Sequence, residues 1–391
     1  MTLLARLAPR RVGLRPGTVL SSPFFPIWPA TALLFALSPL IAAGSLGGSV
    51  VTSTLPFAAV LAIAAIGQTL VIQQRGLDLS VAGMISLTAI IVTKYPNGAN
   101  GGLLPAIGVA ILACALTGAV NGFVITRLRI TPLIATLGTN ALLLGVILIV
   151  TSGSSTATPA PALTSLGFGK LWGIPHTVLI AVVLVVVVSL AMRLTPLGRR
   201  FVAVGTNAPG AYVAGIGVRR YVWGTYIAAS IFYGVAAILL AGYVGTPGLG
   251  AGTTYLLPSI TVVVLGGASL AGGSGSVIGS AVGAIFLIQL QQDVFGAGAA
   301  TSVQFLIQAG VIAAAMAARK VHWTSAVQRL RAWRGSAGPA GPAGQGGSGT
   351  PAPGHPVPVP VPGPGQLLPA LTSDAGHQRR AASRPYARRE P

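Results

Sequence analysis

Long apolar runs that contain almost no charged residues dominate this sequence. Of its 391 residues, 53% are hydrophobic and only 7% are charged, whereas a soluble domain carries about 25% charged residues. Such a chain cannot cover a water-facing surface. A helix of about 20 apolar residues crosses a bilayer with its backbone groups paired, and an open strand does not. We therefore predict an all-α, polytopic integral membrane protein.

The apolar runs predict about ten transmembrane helices, several of them short. Their approximate bounds are 27–46, 55–72, 79–92, 103–125, 132–151, 177–192, 221–241, 255–265, 277–290 and 303–318. A membrane domain over 27–320 therefore lies between a basic arm, 1–26, and a C-terminal linker and tail, 321–391. The arm and the apolar run behind it look like a signal peptide. The many spans that follow favour an uncleaved first span.

The basic residues between the spans predict the orientation of the helices. Lys and Arg number 24 against four acidic residues, giving a formal net charge of +20, and they concentrate on the cytoplasmic side of membrane proteins. Alternate crossings place most of them on the side of the N-terminal arm: Arg75, Arg127, Arg129, the segment 193–220, Arg319 and Lys320. Lys94 and Lys170 fall on the opposite side. Both termini are therefore predicted to be cytoplasmic.

The excess of basic over acidic residues does not predict a nucleic-acid partner. The basic residues form no stripe interleaved with aromatic side chains, which single-strand binders use. After Trp333 the composition changes to Gly, Pro, Ala and Ser and ends in an Arg-rich terminus. A segment of that kind cannot bury enough apolar surface to fold, so a disordered cytoplasmic tail is predicted. Its basic end suits the anionic lipid of the bilayer.

Three segments carry motifs that apolar patterning does not explain. The first is Arg75-Gly-Leu-Asp-Leu-Ser80, directly before the third predicted span. The second covers 118–138 and ends in Pro132-Leu-Ile-Ala-Thr-Leu-Gly138. The third is made of 197–207, 214–218 and a glycine-rich stretch, 264–279.

Together these motifs resemble, in order and spacing, the permease subunits of ribose-, xylose- and galactoside-type ABC importers, over most of residues 55–292. The resemblance implies a translocation pathway for a monosaccharide or similar small polar solute in the bacterial plasma membrane. It implies a homodimer or heterodimer of permeases, separate ATPase subunits that bind ATP and Mg, and an extracytoplasmic solute-binding protein. This chain itself is then expected to hold no cofactor or metal and to be no enzyme.

The resemblance also implies roles for individual residues. The loop 196–220 corresponds to the one that docks on the ATPase, and its expected coupling residues are Gly205, Asn207, Ala211, Gly215 and Ile216. Read alone, the same loop predicts a short interfacial helix that only anchors it. A structural role is expected for the other motif residues: Gly76, Asp78, Ser80, Asn121, Gly122, Pro132, Thr136, Gly138, Gly266, Gly267, Ser269, Gly272, Gly273, Gly275 and Gly279.

Two residues depart from the usual pattern of these permeases. Arg75 stands where the family commonly has a glycine, and Ala214 stands where it commonly has a serine. The second departure affects contacts with a partner. Neither changes the assignment to the family.

Two carboxylates near the predicted spans have alternative interpretations. Asp78 lies where a cytoplasmic turn enters the third span, so we expect it to cap the first backbone N–H groups and to pair with Arg75. A coupling-ion or proton site is the alternative, because an ionisable residue within the membrane is commonly functional. Asp293, beside Gln291 and Gln292, is expected to be exposed at the outer interface.

Other chemistry finds little support in the sequence. The phosphate-binding pattern G-x-x-x-x-G-K-[ST] is absent, since the three lysines lie in other contexts, so a partner must handle nucleotide. The glycine clusters at 266–267 and 272–275 are expected to break a helix and permit close backbone approach. Cys114 is the single cysteine, which excludes a cysteine cluster.

Two alternative functions remain in view. An ion-coupled secondary transporter would need ionisable residues near mid-membrane, and Asp78 is the one candidate. Gly272-Gly-Ser-Gly275 also matches the G-x-S-G of intramembrane serine proteases. None of the four histidines is placed in a neighbouring span as a base for Ser274, so this alternative is the weaker.

The predicted topology is tested by cysteine accessibility in a background that lacks Cys114. A cysteine at Asn97 or Thr158 should react with an impermeant maleimide in intact cells, because both loops are predicted to face outward. Reaction at position 97 only after the cytoplasmic side is made accessible would contradict the orientation.

Overall fold

The computed structural model describes residues 24–154 and 157–320. Residues 1–23 of the basic arm and the linker and tail, 321–391, lie outside the described residues. The predictions made for them therefore stay predictions.

The described chain is almost entirely helical. In chain order its helices are α1 (Ile27–Ile41), α2 (Gly48–Gln73), α3 (Val81–Lys94), α4 (Asn100–Arg127), α5 (Pro132–Thr151), α6 (Pro161–Phe168), α7 (His176–Leu194), α8 (Pro196–Thr206), α9 (Ala208–Val213), α10 (Val218–Val244), α11 (Thr253–Leu265), α12 (Val277–Gly296) and α13 (Thr301–Lys320).

A short hairpin is the one strand pair in the described part of the chain. Strands β1 (Lys170–Leu171) and β2 (Ile174–Pro175) pair antiparallel. The turn between them places Trp172 at φ 52° and Gly173 at φ 82°, the left-handed pair that a two-residue hairpin needs. This hairpin and α6 were not predicted, and the fold is otherwise all-α as expected.

Six described helices are long and apolar enough to cross a membrane, namely α2, α4, α5, α7, α10 and α12. The shorter helices α1, α3 and α11 and the apolar start of α13 coincide with the other four predicted spans. At 1.5 Å per residue the 14 residues of α3 cover about 21 Å, less than the roughly 30 Å hydrocarbon core. The polytopic fold is confirmed, and the count of ten crossings stays a prediction.

Two boundaries differ from the sequence prediction for local reasons. The first helix ends at Ile41 rather than near 46, where the chain turns through Gly44 at φ 84°. The second begins at Gly48 rather than 55. Its first turns hold Thr52, Ser53 and Thr54, whose hydroxyls donate back to helix carbonyls, so these polar residues extend the helix rather than interrupt it.

Helix α2 forms the centre of the bundle. From residue 58 to 73 every side chain of α2 is buried, and α7, α10, α11 and α12 pack around it. A helix that is apolar on all sides needs such an environment. Contact with α10 is close at Gly67, where a Cβ would lie 2.8 Å from the carbonyl oxygen of Ala229.

The outer faces of α4, α5 and α7 expose large apolar side chains. Leu116 on α4, Leu142 on α5 and Val183 on α7 are each more than half exposed. A continuous apolar surface of this extent is the surface that lipid covers in a membrane protein.

Hydrogen bonds show which helix ends lie together. At one end the Trp223 indole of α10 donates to the Ala119 carbonyl of α4 at 2.7 Å. At the opposite end the Lys94 ammonium of α3 donates to the Val150 carbonyl of α5 at 3.0 Å. The first bond joins the start of α10 to the last part of α4, so these helices are antiparallel, whereas the second joins the ends of α3 and α5, which are parallel. Arg127, Arg219 and Arg220 lie at the first end and Lys94 lies at the second, and the orientation of these ends in the membrane stays a prediction.

Packing of α4 against α10 depends on a glycine that has an exposed counterpart on the same helix. A Cβ at Gly118 would overlap Ser230 Oγ and lie 2.5 Å from the Tyr226 carbonyl oxygen, whereas a Cβ at Gly108 would meet open space. Gly118→Ala should destabilise the protein by about 1–3 kcal/mol through overpacking. Gly108→Ala should be neutral or stabilising, because alanine favours helix by about 1 kcal/mol.

Thermal unfolding of the two purified variants in detergent tests this packing. The midpoint should fall for Gly118→Ala alone. Equal midpoints for the two variants would show that the close contact between α4 and α10 does not form.

Candidate functional site: a polar junction at one end of the bundle

The C-terminus of α2 is closed by a hydrogen-bonded cap centred on Arg75. The Gly76 amide donates to the Val71 carbonyl at 3.0 Å and the Arg75 amide to the Ile72 carbonyl at 2.9 Å. This pair of bonds is the Schellman motif, whose left-handed position is usually glycine. Arg75 occupies that position with φ 64°, at a cost of about 1–2 kcal/mol for a residue with a Cβ.

The Arg75 side chain reaches the loop 196–220. Its Nε donates to the Gly205 carbonyl at 2.9 Å, and its Nη2 donates to the Thr206 carbonyl. These are the last carbonyls of α8, where the helix dipole favours a cation. A hydrogen bond from a charged donor contributes about 1.5–3 kcal/mol, enough to offset the backbone cost. The predicted pairing of Arg75 with Asp78 is therefore wrong, because the guanidinium serves a different helix.

The glycine-rich loop 266–276 contacts the same end of α2. The Gly273 amide donates to the Gln73 carbonyl at 2.9 Å, the last residue of α2. A Cβ at Gly272 would overlap Arg75 Cγ, and one at Gly205 would overlap the Gln73 carbonyl oxygen. Gly272 and Gly273 also have φ of 85° and 78°, which glycine adopts without strain.

These contacts define the helix-end junction: Gln73, Gln74, Arg75, Gly205, Thr206, Gly272 and Gly273. Gln74 completes it, since its amide Nε2 donates to the Phe201 carbonyl at 2.8 Å. Phe201 and Val204 of α8 are buried, so an apolar face of α8 packs beside the polar contacts. The junction joins α2, α8 and the loop 266–276 through backbone groups, which leaves little freedom for any one of them to move alone.

The three other expected glycines of this loop also lie at close backbone contacts or in a left-handed turn. A Cβ at Gly275 would lie 2.5 Å from the Gln73 side-chain Nε2, and one at Gly266 would overlap the Gly279 backbone of α12. Gly267 has φ 91°, and the Ser269 amide donates to the Ser274 carbonyl at 3.0 Å. The glycines thus bring α11, α12 and the end of α2 into backbone contact.

Asp78 and Ser80 begin a buried polar chain beside the junction. Asp78 Oδ1 accepts from the Ser80 amide at 3.0 Å and from the Ser80 hydroxyl. Asn121 Nδ2 donates to Ser80 Oγ at 3.0 Å, and the Thr139 hydroxyl donates to Asn121 Oδ1 at 2.6 Å. Residues of α3, α4 and α5 are therefore tied together. Thr139 was missed in the sequence, because it lies one residue beyond the motif that ends at Gly138.

Asp78 shapes the turn rather than capping α3 in the predicted way. Its carboxylate accepts the amide of Ser80, which is itself the residue before the helix, and the α3 N-terminus receives no side-chain cap. Its second oxygen, Oδ2, is buried without a hydrogen-bond partner. The residue is fully buried, and the bond two residues ahead is typical of an aspartate turn.

The motif at the start of α5 supports this turn. Pro132 is the first residue of α5, where its missing N–H costs nothing. Thr136 Oγ1 accepts from the Leu79 amide at 3.0 Å, and Asn140 Oδ1 accepts from the Gly83 amide at 2.8 Å. Gly138 faces open space. On α4, a Cβ at Gly122 would overlap the Trp223 ring of α10.

The loop 196–220 contains two helices, α8 and α9, rather than the single predicted one. Asn207 separates them, and its Oδ1 accepts from the Gly210 amide at 3.1 Å as the N-cap of α9. The C-terminus of α9 has its own Schellman motif. Gly215, at φ 78°, donates to the Tyr212 carbonyl, and Ile216 donates to the Ala211 carbonyl at 3.0 Å.

The expected coupling residues therefore hold α9 in place and present its surface. Ala211 is buried, while Gly205 lies within the helix-end junction and not on an outward face. The apolar side chains that α9 does expose are Tyr212 and Val213, at 74% and 87%. Neither residue belongs to a motif, although an exposed apolar pair between two cap residues is the kind of surface that a partner covers.

A cavity of about 560 Å³ lies at the other end of the bundle, between α2, α10, α11, α12 and α13. None of the described residues that line it is charged. Its polar groups are hydroxyls and amides, from Ser53, Thr54, Tyr243, Thr254, Tyr255, Gln291, Gln292 and Gln304, beside the apolar walls of Phe57 and Leu61. The volume falls within the range of about 300–1,000 Å³ that small-molecule sites occupy.

Asp293 is buried, contrary to the expected exposure. Its two carboxylate oxygens accept from the Ser38 hydroxyl at 2.6 Å and from Gln289 Nε2 at 2.8 Å. The sequence missed Ser38 because it lies 255 residues away, on α1. A buried carboxylate with two donors is a stabilising contact between α1 and α12.

The described residues do not form a hydrolytic site or a metal cluster. His176 is the one histidine among them, and it starts α7 beside Gly169, at the end of the bundle opposite to Ser274. No group of three or more potential metal ligands occurs in the described ranges.

A multi-pass helical bundle with an uncharged cavity at one end and a compact junction at the other suits a membrane transport protein. Residues 50–316 match the family described as the permease component of branched-chain amino acid transport systems. The chain belongs to this family, which is one of transport permeases. No solved structure matches the chain.

Three relatives show the level of similarity. The chain is 33% identical over 255 residues to the probable ABC transporter permease protein y4mJ of Sinorhizobium fredii, covering 63% of this chain and 76% of the relative. It is 33% identical over 268 residues to the autoinducer 2 import system permease protein LsrD of Photorhabdus laumondii, covering 67% and 80%. It is 33% identical over 255 residues to the ribose import permease protein RbsC of Escherichia coli, covering 64% and 79%.

Proposed function

We propose that this chain is the membrane-spanning permease subunit of an ABC importer in the bacterial plasma membrane. Its solute is a monosaccharide or a similar small, neutral, hydroxyl-rich molecule. The observation that carries this proposal is the uncharged cavity of about 560 Å³ at the end opposite to the helix-end junction. The relatives named for ribose and autoinducer 2 import support it.

The cavity chemistry favours a neutral solute over an amino acid. A zwitterion would bring an ammonium and a carboxylate into a site whose described lining carries no charge, and an unpaired buried charge is costly. Hydroxyls and amides such as those of Tyr243, Gln291 and Gln292 can both donate to and accept from sugar hydroxyls. Apolar walls suit the C–H faces of a sugar ring.

The energy comes from ATP hydrolysis on a separate subunit in this proposal. The sequence lacks a phosphate-binding lysine loop, and α9 exposes Tyr212 and Val213 beside the junction. We therefore assign α8 and α9 to the docking surface for the ATPase. A second permease, identical or homologous, completes the pathway, and an extracytoplasmic binding protein delivers the solute at the cavity end.

Replacing an exposed tyrosine at each end tests the docking surface. Tyr212→Ala should lower the amount of ATPase subunit that co-purifies with the permease by about tenfold, since a truncated aromatic hot spot costs about 1–2 kcal/mol or more. Tyr95, 66% exposed at the opposite end, provides the matched control. Tyr95→Ala should retain the ATPase. Equal retention by both variants, with equal solute uptake, would remove α9 from the docking surface.

Asp78 is the single observation that favours an ion-coupled carrier instead. Asp78→Asn keeps an Oδ1 acceptor for the Ser80 amide and hydroxyl and removes the carboxylate that would bind an ion or proton. We expect this variant to retain folding and ATP-driven uptake within about twofold, because the turn is preserved. Asp78→Ala should unfold at a lower temperature. Loss of uptake in a well-folded Asp78→Asn protein would favour ion coupling.

A further inference from the structure

The side chain at position 75 links two elements that no continuous helix connects. Its backbone forms the left-handed position of the α2 cap, and its guanidinium donates to the final carbonyls of α8 at Gly205 and Thr206. Glycine would close the same α2 cap without backbone strain and would leave these two carbonyls without the charged donor. What the arginine adds at this position is therefore the connection to α8.

A third element restricts the side chain from the other side. Gly272 packs so closely that a Cβ there would overlap Arg75 Cγ, and the neighbouring Gly273 amide donates to the Gln73 carbonyl. The aliphatic stem of Arg75 therefore lies between the loop 266–276 and the end of α8. Movement of α8 away from the α2 terminus requires that the two guanidinium bonds break, together with the bond from Gln74 Nε2 to the Phe201 carbonyl.

We propose that Arg75 is a positioning residue for energy coupling: it transmits displacement of α8 and α9 to the C-terminus of α2 and to the loop 266–276. This inference rests on the proposed function, because it assumes that a partner ATPase displaces α8 and α9. The central helix α2, buried from residue 58 to residue 73, extends from this junction to the cavity, where Phe57 and Leu61 line the wall. A rigid displacement at the junction therefore reaches the solute cavity.

The charge and shape of arginine suit this role better than those of other cations. A guanidinium donates in a fixed planar fork, so two neighbouring carbonyls can be held at once. A lysine ammonium at the same position can place its charge near the helix terminus but holds a single point. We therefore expect the Arg75→Lys variant to retain part of the coupling and the Arg75→Gln variant to retain little.

The experiment uses the full permease assembled with its ATPase subunit, in a background that lacks Cys114 and carries a cysteine at Thr254. Thr254 lines the cavity end, so the rate of maleimide labelling there reports whether the cavity is open. The readout is the change in this rate between the nucleotide-free and the ATP-bound complex, and it requires no knowledge of the solute. ATP hydrolysis and thermal stability are measured on the same samples.

We expect Arg75→Gln and Arg75→Gly to lose most of the ATP-dependent change in labelling while ATP hydrolysis continues. Amide hydrogen exchange in α8 should become at least about tenfold faster, because the last carbonyls of α8 lose two hydrogen bonds from a charged donor. Arg75→Gly should lose less thermal stability than Arg75→Gln, because glycine relieves the left-handed strain while both variants lose the guanidinium bonds. A purely structural role would instead lower stability and coupling together.

Arg129→Gln is the matched control, since Arg129 is an exposed arginine that also has a positive φ, 58°, and lies outside the helix-end junction and the docking surface, so it should keep the full labelling change. A normal labelling change in Arg75→Gln, beside a normal change in the unsubstituted complex, would overturn the role of Arg75 alone. If the unsubstituted complex shows no ATP-dependent change at all, the proposed function fails and this inference fails with it.

Discussion

Burial of α2 on all sides from residue 58 to residue 73 determines how the other helices are arranged. A helix without a lipid-facing or water-facing side must receive neighbours on all sides, and α7, α10, α11 and α12 supply them. Its C-terminal carbonyls also need partners in a region where unsatisfied backbone groups are costly. The cap at Arg75 and Gly76 satisfies two of them, and the Gly273 amide satisfies that of Gln73. The helix-end junction is thus a consequence of placing a helix at the centre of the bundle.

The same constraint separates the two ends of the molecule chemically. Polar backbone groups, arginines and tightly packed glycines gather where α2 ends, and these features favour rigid transmission of movement. Hydroxyls and amides without charge line the cavity where α2 begins, and these features favour a solute that binds weakly and leaves again. This separation of a cavity from a compact junction agrees with a family of transport permeases.

The sequence predicted the fold class and the motif positions well, because both depend on local patterns. Apolar run length identified the spans, and the glycines at 272 and 273 indicated close approach of backbones. Contacts between distant segments were not accessible in the same way. Arg75 was paired with Asp78 because the two are neighbours in sequence, whereas its partners lie about 130 residues away. Asp293 was placed at the surface because its partner, Ser38, is on a distant helix.

In the loop 196–220, too, residues with a local role were predicted and residues without one were missed. Asn207 and Gly215 were recognised as motif residues, and the structure gives each a local physical role as a cap of α9. Tyr212 and Val213, which α9 exposes, carried no signal, because an exposed apolar pair in a mostly apolar sequence does not stand out. Thr139 was missed for a related reason, since a threonine within a span is common and only its contact with Asn121 distinguishes it.

We propose that this chain forms a pathway for a neutral sugar and that ATP hydrolysis on a partner subunit drives the transport. Proteoliposomes that contain the permease, its ATPase subunit and the binding protein test it most directly, with a panel of labelled pentoses, hexoses and branched-chain amino acids as probes. At least one sugar should accumulate in the proteoliposomes when ATP is supplied on the ATPase side. None should accumulate under a proton or sodium gradient without ATP. Accumulation driven by an ion gradient in the absence of the ATPase, or accumulation of amino acids and no sugar, would contradict it.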